Sequence, residues 1–251
     1  MRSFLAALQF LTTLPIPARL DTGDFARAPF WFPVTGLLLG ALTAAADAAL
    51  GYLGLPPMVR AILTVALMAA LTGGLHLDGL ADAADGFLSA RPRDRVLEIM
   101  RDSRIGAMGV LALMFVLSLK VAAVMYLECS FRWKALLLAP AGARAMQLII
   151  MQIQSYARGE DGLAALFLRH RRRTRTLWAF AWIVLSPAML LGPAGGISIV
   201  AAQLCLLGVA LRWTHRRIGG FTGDTLGAAS ELSECISSLA VLVVASAAVT
   251  D

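Results

Sequence analysis

The stretch Gly73 to Gly86, GGLHLDGLADAADG, places three aspartates and a histidine directly after an apolar segment long enough to cross a bilayer. On a helix that advances about 100° per residue, Asp78, Asp82 and Asp85 share one face. Three carboxylates at this spacing repel one another unless a cation lies between them. Ionisable residues beside a membrane segment are rare and mark a reaction site or a transport pathway. The stretch therefore predicts a helix at a membrane edge with a cation-binding face.

The composition of the 251 residues is that of a polytopic membrane protein. Hydrophobic residues make up 59% of the chain and charged residues only 15%, with a mean hydropathy of +0.75. An average soluble domain is roughly 45–50% apolar and about 25% charged. Apolar runs recur from end to end without a linker, so one membrane domain over residues 1–251 is expected. The three cysteines stand alone, without the spacing of a zinc site or a disulfide framework.

The apolar runs predict an all-α integral membrane protein with about seven transmembrane helices, within a range of roughly six to eight. Residues 1–20 hold an apolar stretch too short to span and without a signal-peptide cleavage site, so an interfacial helix is expected there. The predicted spans are Phe30–Leu53, Pro57–Leu75, Ala107–Leu127, Phe131–Ile153, Thr176–Leu191, Gly195–Leu211 and Ile236–Val249.

Basic residues set the predicted orientation. Most of the 22 Lys and Arg residues fall in the N-terminus and in loops on one side of the membrane. Cytoplasmic loops collect such residues, so the N-terminus is expected to be cytoplasmic. The same excess explains the net charge of +6 without a nucleic-acid partner, and the basic run Arg169–Arg175 is interpreted as an anchor against anionic lipid. The polar segments expected on the cytoplasmic side are Gly73–Gly86, Arg101–Gly106, Tyr156–Gly162 and Gly219–Glu234.

The segment Gly219–Glu234 echoes the first acidic stretch. When the two glycine pairs are aligned, Asp78 matches Asp224 and Asp85 matches Glu231. Two facing carboxylate helices could hold one or two hard divalent cations. The alternative is that Gly and Asp are simply common where helices begin. The candidate metal ligands are Asp78, Asp82, Asp85, Asp224 and Glu231.

Ligands that offer only oxygen favour magnesium, with manganese or calcium as alternatives. With basic groups nearby, the chemistry that fits is phosphoryl transfer, because magnesium and guanidinium groups both stabilise charge on phosphate oxygens. The candidate substrate-binding residues are Arg101, Ser103, Arg104, Arg144, Arg158 and Thr222.

The motifs GGLHLDGLADAADGF, RDSRIGAMGVLAL and GGFTGDTLGA, with LQFLTTLPIP and FPVTGLLLG before them, resemble those of the cobalamin synthase family, the adenosylcobinamide-GDP ribazoletransferases. The likeness runs in order over most of the chain. It implies a magnesium-dependent enzyme of the bacterial cytoplasmic (inner) membrane. Such an enzyme joins α-ribazole, or its 5′-phosphate, to adenosylcobinamide-GDP, releasing GMP and forming adenosylcobalamin or its 5′-phosphate. A homo-oligomer is compatible with this resemblance.

In the implied reaction, a ribose 3′-hydroxyl attacks the phosphorus attached to the cobinamide, in line with the departing GMP oxygen. Asp78, Asp82 and Asp224 are then expected to bind the metal ion. Asp85 is expected either to bind the metal or to accept the hydroxyl proton, and spacing alone does not separate these roles. The candidate catalytic residues are Asp82, Asp85 and His76, although a hydrogen-bonded role at the membrane interface is the alternative for the histidine.

Two other functions compete with this interpretation. A CDP-alcohol phosphotransferase of phospholipid synthesis also uses aspartates with magnesium, in a DGxxxAR-type motif, but here the segment Asp82–Asp85 lacks the Ala-Arg of that motif. A secondary transporter would use the carboxylates as a proton or sodium site. Such sites lie near the bilayer midplane on broken helices, whereas these carboxylates are predicted at the membrane edge.

Three charged residues lie well inside predicted spans, away from the span ends. Arg144 lies too deep to be a surface residue, so it contacts either a substrate phosphate or a structural partner. Asp47 and Lys120 both fall toward the outer half of their spans, and a salt bridge between them is expected.

Overall fold

The computed structural model describes residues 1–159, 163–168 and 171–250. Over these residues the chain is helical, with one isolated β-bridge between Tyr156 and Phe221. A short 3-10 helix, Ala28–Trp31, links the second and third α-helices. The α-helices are α1 (Arg2–Leu11), α2 (Thr22–Arg27), α3 (Phe32–Tyr52), α4 (Pro57–Leu71), α5 (Leu75–Phe87), α6 (Arg93–Ile99), α7 (Ala107–Tyr126), α8 (Cys129–Ile153), α9 (Leu163–Leu168), α10 (Arg173–Ile218) and α11 (Gly223–Thr250).

Two predicted segments are described only in part. The described residues exclude 160–162, which belong to the polar segment that starts at Tyr156. They also exclude 169–170, which belong to the basic run that ends at Arg175.

The all-α fold is confirmed, and several helices are long and apolar enough to cross a membrane, as a membrane protein requires. Within the described residues five pass this test: the continuous segment Thr22–Tyr52, α7, α8, α10 and α11. The helices α4 and α5 pass only as a pair bent by 90°, which brings the number to six. The predicted fifth and sixth spans both lie in the 46-residue α10, which is broken at Gly192, where φ is 75°. This break leaves two segments that each approach the length of a span.

The helix α8 lies at the centre of the bundle, where it packs against α3, α10 and α11. Every residue from Leu138 to Met151 is buried. The glycines Gly36 and Gly40 let α3 approach closely, because a Cβ at either position would overlap the α8 backbone. Small residues at this spacing are typical of helices that pack inside a membrane, where close contact provides the attraction.

The helix α1 is the one expected within residues 1–20, and it packs into the fold. Its residues Ala6, Ala7 and Leu11 are buried in the main core. The ring of Phe10 stacks on that of Phe32 from α3, with the ring centroids 6.0 Å apart. The N-terminal helix therefore contributes one wall to the cavities described below.

Two glycines make the corner between α4 and α5. Gly73 and Gly74 have φ angles of 60° and 69°, in the left-handed region that glycine adopts without a Cβ clash. The corner directs α5 across the beginning of α11. At the crossing, a Cβ on Gly79 would lie only 2.9 Å from the carbonyl oxygen of Asp224. The fold thus brings the acidic ends of α5 and α11 into contact.

Candidate active site

An open cleft of about 880 Å³ runs beside α5. Its lining includes Asp78 and Asp82 from α5 and Arg101, Asp102 and Ser103 from the loop before α7. In the described part of the chain, the carboxylates of Asp78 and Asp82 take part in no hydrogen bond or ion pair. The two carboxylates repel each other, and Asp224 adds to the repulsion at Asp82. Negative charge that is concentrated and unpaired in this way favours a cation.

The beginning of α11 brings a third carboxylate to the same place. Asp224 accepts hydrogen bonds from Nη2 of Arg158, at 2.6 Å, and from the Thr222 hydroxyl, at 3.2 Å. The backbone N–H of Thr222 donates to the Thr225 hydroxyl, and the N–H of Thr225 donates back to the Thr222 hydroxyl, at 2.8 and 3.3 Å. This reciprocal cap fixes where α11 begins. Asp224 and Asp78 together line a second, smaller cavity.

Asp85 has its own partners. Its Oδ2 accepts from the backbone N–H of Gly106 at 2.7 Å, and its Oδ1 accepts from that of Gly109 at 2.9 Å. Both amides belong to the beginning of α7, where backbone N–H groups have no partner within the helix. Both carboxylate oxygens thus anchor α7 to α5. The structure supports a positioning role for Asp85, through the loop that lines the cleft.

The loop before α7 carries one tight surface pair. Arg104 donates to Asp102 from Nε and Nη2, at 3.0 and 2.7 Å. These hydrogen bonds lower the pKa of Asp102 to about 2. The side chain of Arg104 is 87% exposed, so its guanidinium group lies on the surface. Arg101 and Ser103, by contrast, line the cleft beside the unpaired aspartates.

A buried ion cluster lies deeper in the bundle, between α7, α8 and α11. Nζ of Lys120 lies 2.5 Å from Glu231 and 2.7 Å from Glu234. Nη1 of Arg144 lies 2.9 Å from Glu234 and also contacts the Ser230 hydroxyl. Four opposite charges are thus paired in the interior, which is how charge is accommodated away from water.

The cluster changes the interpretation of two predicted site residues. Glu231, a candidate metal ligand, is paired with Lys120 and lies two turns, about 10 Å, along α11 from Asp224. Arg144, a candidate phosphate ligand, is only 1% exposed and has structural partners. One of these is His76, whose Nδ1 lies 3.3 Å from Nη2 of Arg144. Both side chains therefore belong to the buried ion cluster, and neither is among the residues that line the open cleft or the smaller cavity.

The expected salt bridge between Asp47 and Lys120 is wrong. Asp47 accepts a hydrogen bond from Nε of Arg60 at 2.8 Å, and Arg132 lies 3.9 Å away. Lys120 pairs with the α11 glutamates instead. Depth along a span shows that a charge needs a partner, but it does not show which neighbouring helix supplies it.

The donors at the crossing of α5 and α11 suit a hard cation. Among the described residues, no group of three or more His, Cys, Asp or Glu side chains is already close enough to form a metal site. The carboxylates of Asp78 and Asp82 are nevertheless unpaired, and Asp224 holds only Arg158 and a hydroxyl. Carboxylate oxygens are the ligands that magnesium, manganese and calcium prefer. The residues therefore fit a divalent ion shared by the two helices.

Fold and site together define a multi-pass helical membrane protein whose acidic cleft is flanked by arginines. Comparison with known proteins gives the particular family. The chain belongs to the family described as Cobalamin-5-phosphate synthase, whose model matches residues 3–243. No solved structure matches the chain.

Several relatives match over nearly their full length. A protein named adenosylcobinamide-GDP ribazoletransferase from Klebsiella pneumoniae (strain 342) is 44% identical over 250 residues, covering 96% of this chain and all of the relative. Proteins with the same name from Geotalea daltonii and Citrobacter koseri are 39% and 40% identical. These matches cover 97% and 95% of this chain, and 98% of each relative. The family resemblance of the motifs is thereby confirmed.

Some residues at the site carry no signal in the sequence pattern. Asp102 was not a candidate, although it lines the cleft and holds Arg104. Gln147 looks like an ordinary residue of an apolar span, yet it lines the smaller cavity with Phe32 and Phe167. These residues come from separate parts of the chain. A polar residue within the long apolar run of α8 is the one signal that could have pointed to Gln147.

Proposed function

We propose that this chain is an adenosylcobinamide-GDP ribazoletransferase that depends on magnesium. The observation that carries the proposal is the unpaired pair Asp78 and Asp82, which lines an open cleft together with Arg101 and Ser103. A cation can join these carboxylates to a substrate phosphate, and the guanidinium group can bind its remaining oxygens. The family and the names of the relatives supply the identity of the substrates.

The transfer replaces a phosphoanhydride bond with a phosphate ester bond. The ribose 3′-hydroxyl oxygen of α-ribazole, or of its 5′-phosphate, forms a bond to the phosphorus attached to the cobinamide. The bond from that phosphorus to the GMP oxygen breaks, and GMP leaves with the electron pair. Attack and departure must be roughly in line, so the protein's main contributions are positioning and charge stabilisation.

Each side chain at the site has a proposed role in the transfer. Asp78, Asp82 and Asp224 would hold the magnesium ion, which when bound supplies positive charge to the phosphate oxygens. Arg158 is held at the site by Asp224 and can turn to a phosphate oxygen. The acceptor of the hydroxyl proton is assigned to one of the unpaired α5 carboxylates, Asp78 or Asp82, because both oxygens of Asp85 are engaged by backbone N–H groups.

The orientation in the membrane belongs to the same proposal. In this proposal the chain crosses the membrane seven times, with α10 counted as two spans at Gly192, and the N-terminus, the cleft and the loop before α7 lie on the cytoplasmic side. The protein then lies in the bacterial inner membrane, with both substrates arriving from the cytoplasm. Ser103→Cys and Tyr52→Cys, each in a chain whose native Cys129, Cys205 and Cys235 are replaced by alanine, would test this. Modification by an impermeant thiol reagent is expected only from the cytoplasmic side for position 103 and only from the opposite side for position 52.

Turnover by the purified protein tests the function. The full chain in lipid nanodiscs is incubated with adenosylcobinamide-GDP, α-ribazole and magnesium, and corrinoid product and GMP are measured. The expected result is equal amounts of both, loss of both with EDTA, and recovery when magnesium is added back. A chain that forms no corrinoid product, or that works equally well in EDTA, would contradict the proposal. CDP-diacylglycerol with an alcohol acceptor, supplied in a parallel reaction, should yield no phospholipid.

A further inference from the structure

A second cavity, of about 260 Å³, adjoins the cleft. Three residues line both spaces, namely Phe10, Leu75 and Asp78. The cavity and the cleft therefore meet beside Asp78. The smaller cavity lies just below the range of about 300–1,000 Å³ that is typical of pockets for drug-sized ligands. It can therefore admit a single nucleoside but neither a corrinoid nor a dinucleotide.

The wall of this smaller cavity is aromatic. The ring centroids of Phe10, Phe32 and Phe167 lie 5.1 to 6.0 Å from one another, and Tyr156 also lines the cavity. These rings come from α1, α3 and α9, with Tyr156 in the loop after α8, so only the tertiary fold collects them. Such a surface favours a flat, apolar ring system, which can stack or pack edge to face.

One buried amide in the wall has an unused hydrogen-bond acceptor. Gln147 is 3% exposed, and its Nε2 donates to the carbonyl oxygen of Leu226 at 3.2 Å. Its Oε1 has no partner in the described part of the chain. A buried polar atom without a partner costs about 1–3 kcal/mol, so a ligand that donates a hydrogen bond to this oxygen would gain binding energy.

His76 supplies the complementary donor. It is 2% exposed, and its Nδ1 lies 3.3 Å from Nη2 of Arg144. A guanidinium group can only donate, so Nδ1 must accept and the ring proton of the neutral histidine lies on Nε2. That nitrogen makes no hydrogen bond to the residues that the structure describes. The ion cluster thus sets the tautomer, and the wall offers one N–H donor and one carbonyl acceptor.

We propose that the smaller cavity binds the acceptor nucleoside, α-ribazole, with its base among the phenylalanine rings and its ribose toward Asp78 and Asp224. The inference rests on the proposed function, which supplies a nucleoside as one of the two substrates. The benzimidazole base has a single free ring nitrogen, which matches the His76 donor, and a ribose hydroxyl matches the Gln147 acceptor. The guanine of the other substrate carries a carbonyl, a ring N–H and an amino group. It would leave polar groups unpaired among these rings.

The assignment places the two substrates in adjoining spaces. The nucleoside hydroxyl approaches from the smaller cavity, and the phosphate to be transferred lies in the larger cleft beside Asp82 and Arg101. The residue common to both spaces, Asp78, lies where the two substrates meet.

Steady-state kinetics of Gln147→Leu tests the proposal. Leucine nearly preserves volume and suits the buried surroundings of α8, and it removes the acceptor. The KM for α-ribazole should rise about tenfold, as expected for one lost hydrogen bond, while the KM for adenosylcobinamide-GDP stays unchanged. Gln152→Leu, on the same helix but outside both cavities, is the matched control and should change neither KM. A rise confined to the KM for adenosylcobinamide-GDP would overturn the assignment.

Equilibrium binding keeps the test independent of turnover and of any variant's folding. Labelled α-ribazole is bound to the wild-type chain in nanodiscs without the second substrate. Unlabelled benzimidazole nucleosides should displace it, and guanosine and GMP should not. Displacement by guanosine at equal concentration would show that the cavity binds guanine instead, and no saturable binding would also reject the proposal. Absence of turnover with nucleoside binding intact would reject the proposed function alone.

Discussion

The helices α5 and α11 both begin after a glycine pair and both carry acidic residues on one face, yet their carboxylates meet different surroundings. On α5, Asp78 and Asp82 line an open cleft without a partner among the described residues. On α11, Glu231 and Glu234 are buried against Lys120 and Arg144. The difference shows that spacing along a helix does not decide what a carboxylate does. The groups on the neighbouring helices decide it.

Asp224 is intermediate between the unpaired carboxylates of α5 and the buried, paired carboxylates of α11. It lies in the first turn of α11, where it lines the smaller cavity with Asp78 and also pairs with Arg158. The first turn of α11 therefore lines the smaller cavity, and Glu231 and Glu234, about two to three turns further along, belong to the buried ion cluster. The ion cluster contacts the lining of the smaller cavity through Arg144, which lies against His76.

The largest effect is expected from Asp82→Ala. Removing an unpaired cleft carboxylate should lower the rate of GMP release about a thousandfold, since the cation and the developing charge lose a ligand. Stability should hardly change because no partner is left unpaired. Asp94→Ala, at a side chain that is 89% exposed, is the control and should retain full activity. Wild-type turnover in Asp82→Ala would remove Asp82 from the chemistry.

Glu234→Ala should mainly lower the stability of the fold. It leaves Lys120 and Arg144 short of a counter-charge in the interior, which costs about 3–5 kcal/mol. The thermal unfolding temperature in detergent should fall sharply. Glu98→Ala breaks a surface pair whose side chains are both 63% exposed and should cost less than about 1 kcal/mol. Equal effects of the two changes would mean that the buried cluster does not hold the bundle together.

Gly79→Ala tests the contact between the two helices. The added Cβ would lie 2.9 Å from the carbonyl oxygen and 3.0 Å from the Cα of Asp224, so α5 and α11 must separate. Overpacking of this kind costs about 1–3 kcal/mol, and kcat should fall roughly tenfold or more as the aspartates move apart. Gly208→Ala, where the new Cβ meets nothing within 4 Å, should leave activity unchanged. Full activity of Gly79→Ala would show that the two helices need not touch.

The smallest effect is expected from Asp85→Asn. The amide keeps one acceptor oxygen for the amides of Gly106 and Gly109, so stability should fall by about 1 kcal/mol or less. Turnover should stay within tenfold of wild type, as roughly one hydrogen bond is affected. Asp85→Ala, which loses both bonds, should show the larger drop in unfolding temperature. A thousandfold loss of turnover in Asp85→Asn, with unchanged stability, would instead make Asp85 a metal ligand or the base.

Much of the site can be predicted from the chain because its elements are local. The glycine corner, the face of Asp78 and Asp82 and the capped beginning of α11 each lie within a few residues of sequence. The membrane class follows from composition and apolar runs, which the helices α3, α7, α8, α10 and α11 bear out. The alignment of the two glycine pairs likewise singled out Asp224, which the structure places against Gly79.

The partners of buried charges could not be predicted. Asp47 and Lys120 were matched by depth, but the nearest guanidinium group to Asp47 belongs to Arg60, on the next helix. The same holds for Glu231. Its place on the acidic face of α11 predicts a metal ligand, but in the structure its carboxylate pairs with Lys120 of α7. Helical periodicity gives the direction of a side chain around its own axis, but not the rotation and register of its neighbours.

The sequence by itself determined the membrane class, the helix pattern, the family motifs and the acidic face of α5, because each depends on residues that are close in the chain. Only the tertiary structure decided which carboxylates stay free, which are neutralised by Lys120 and Arg144, and which aromatic rings gather around Gln147. The physical reason is that charge pairing and cavity shape depend on the packing of helices that are distant in sequence.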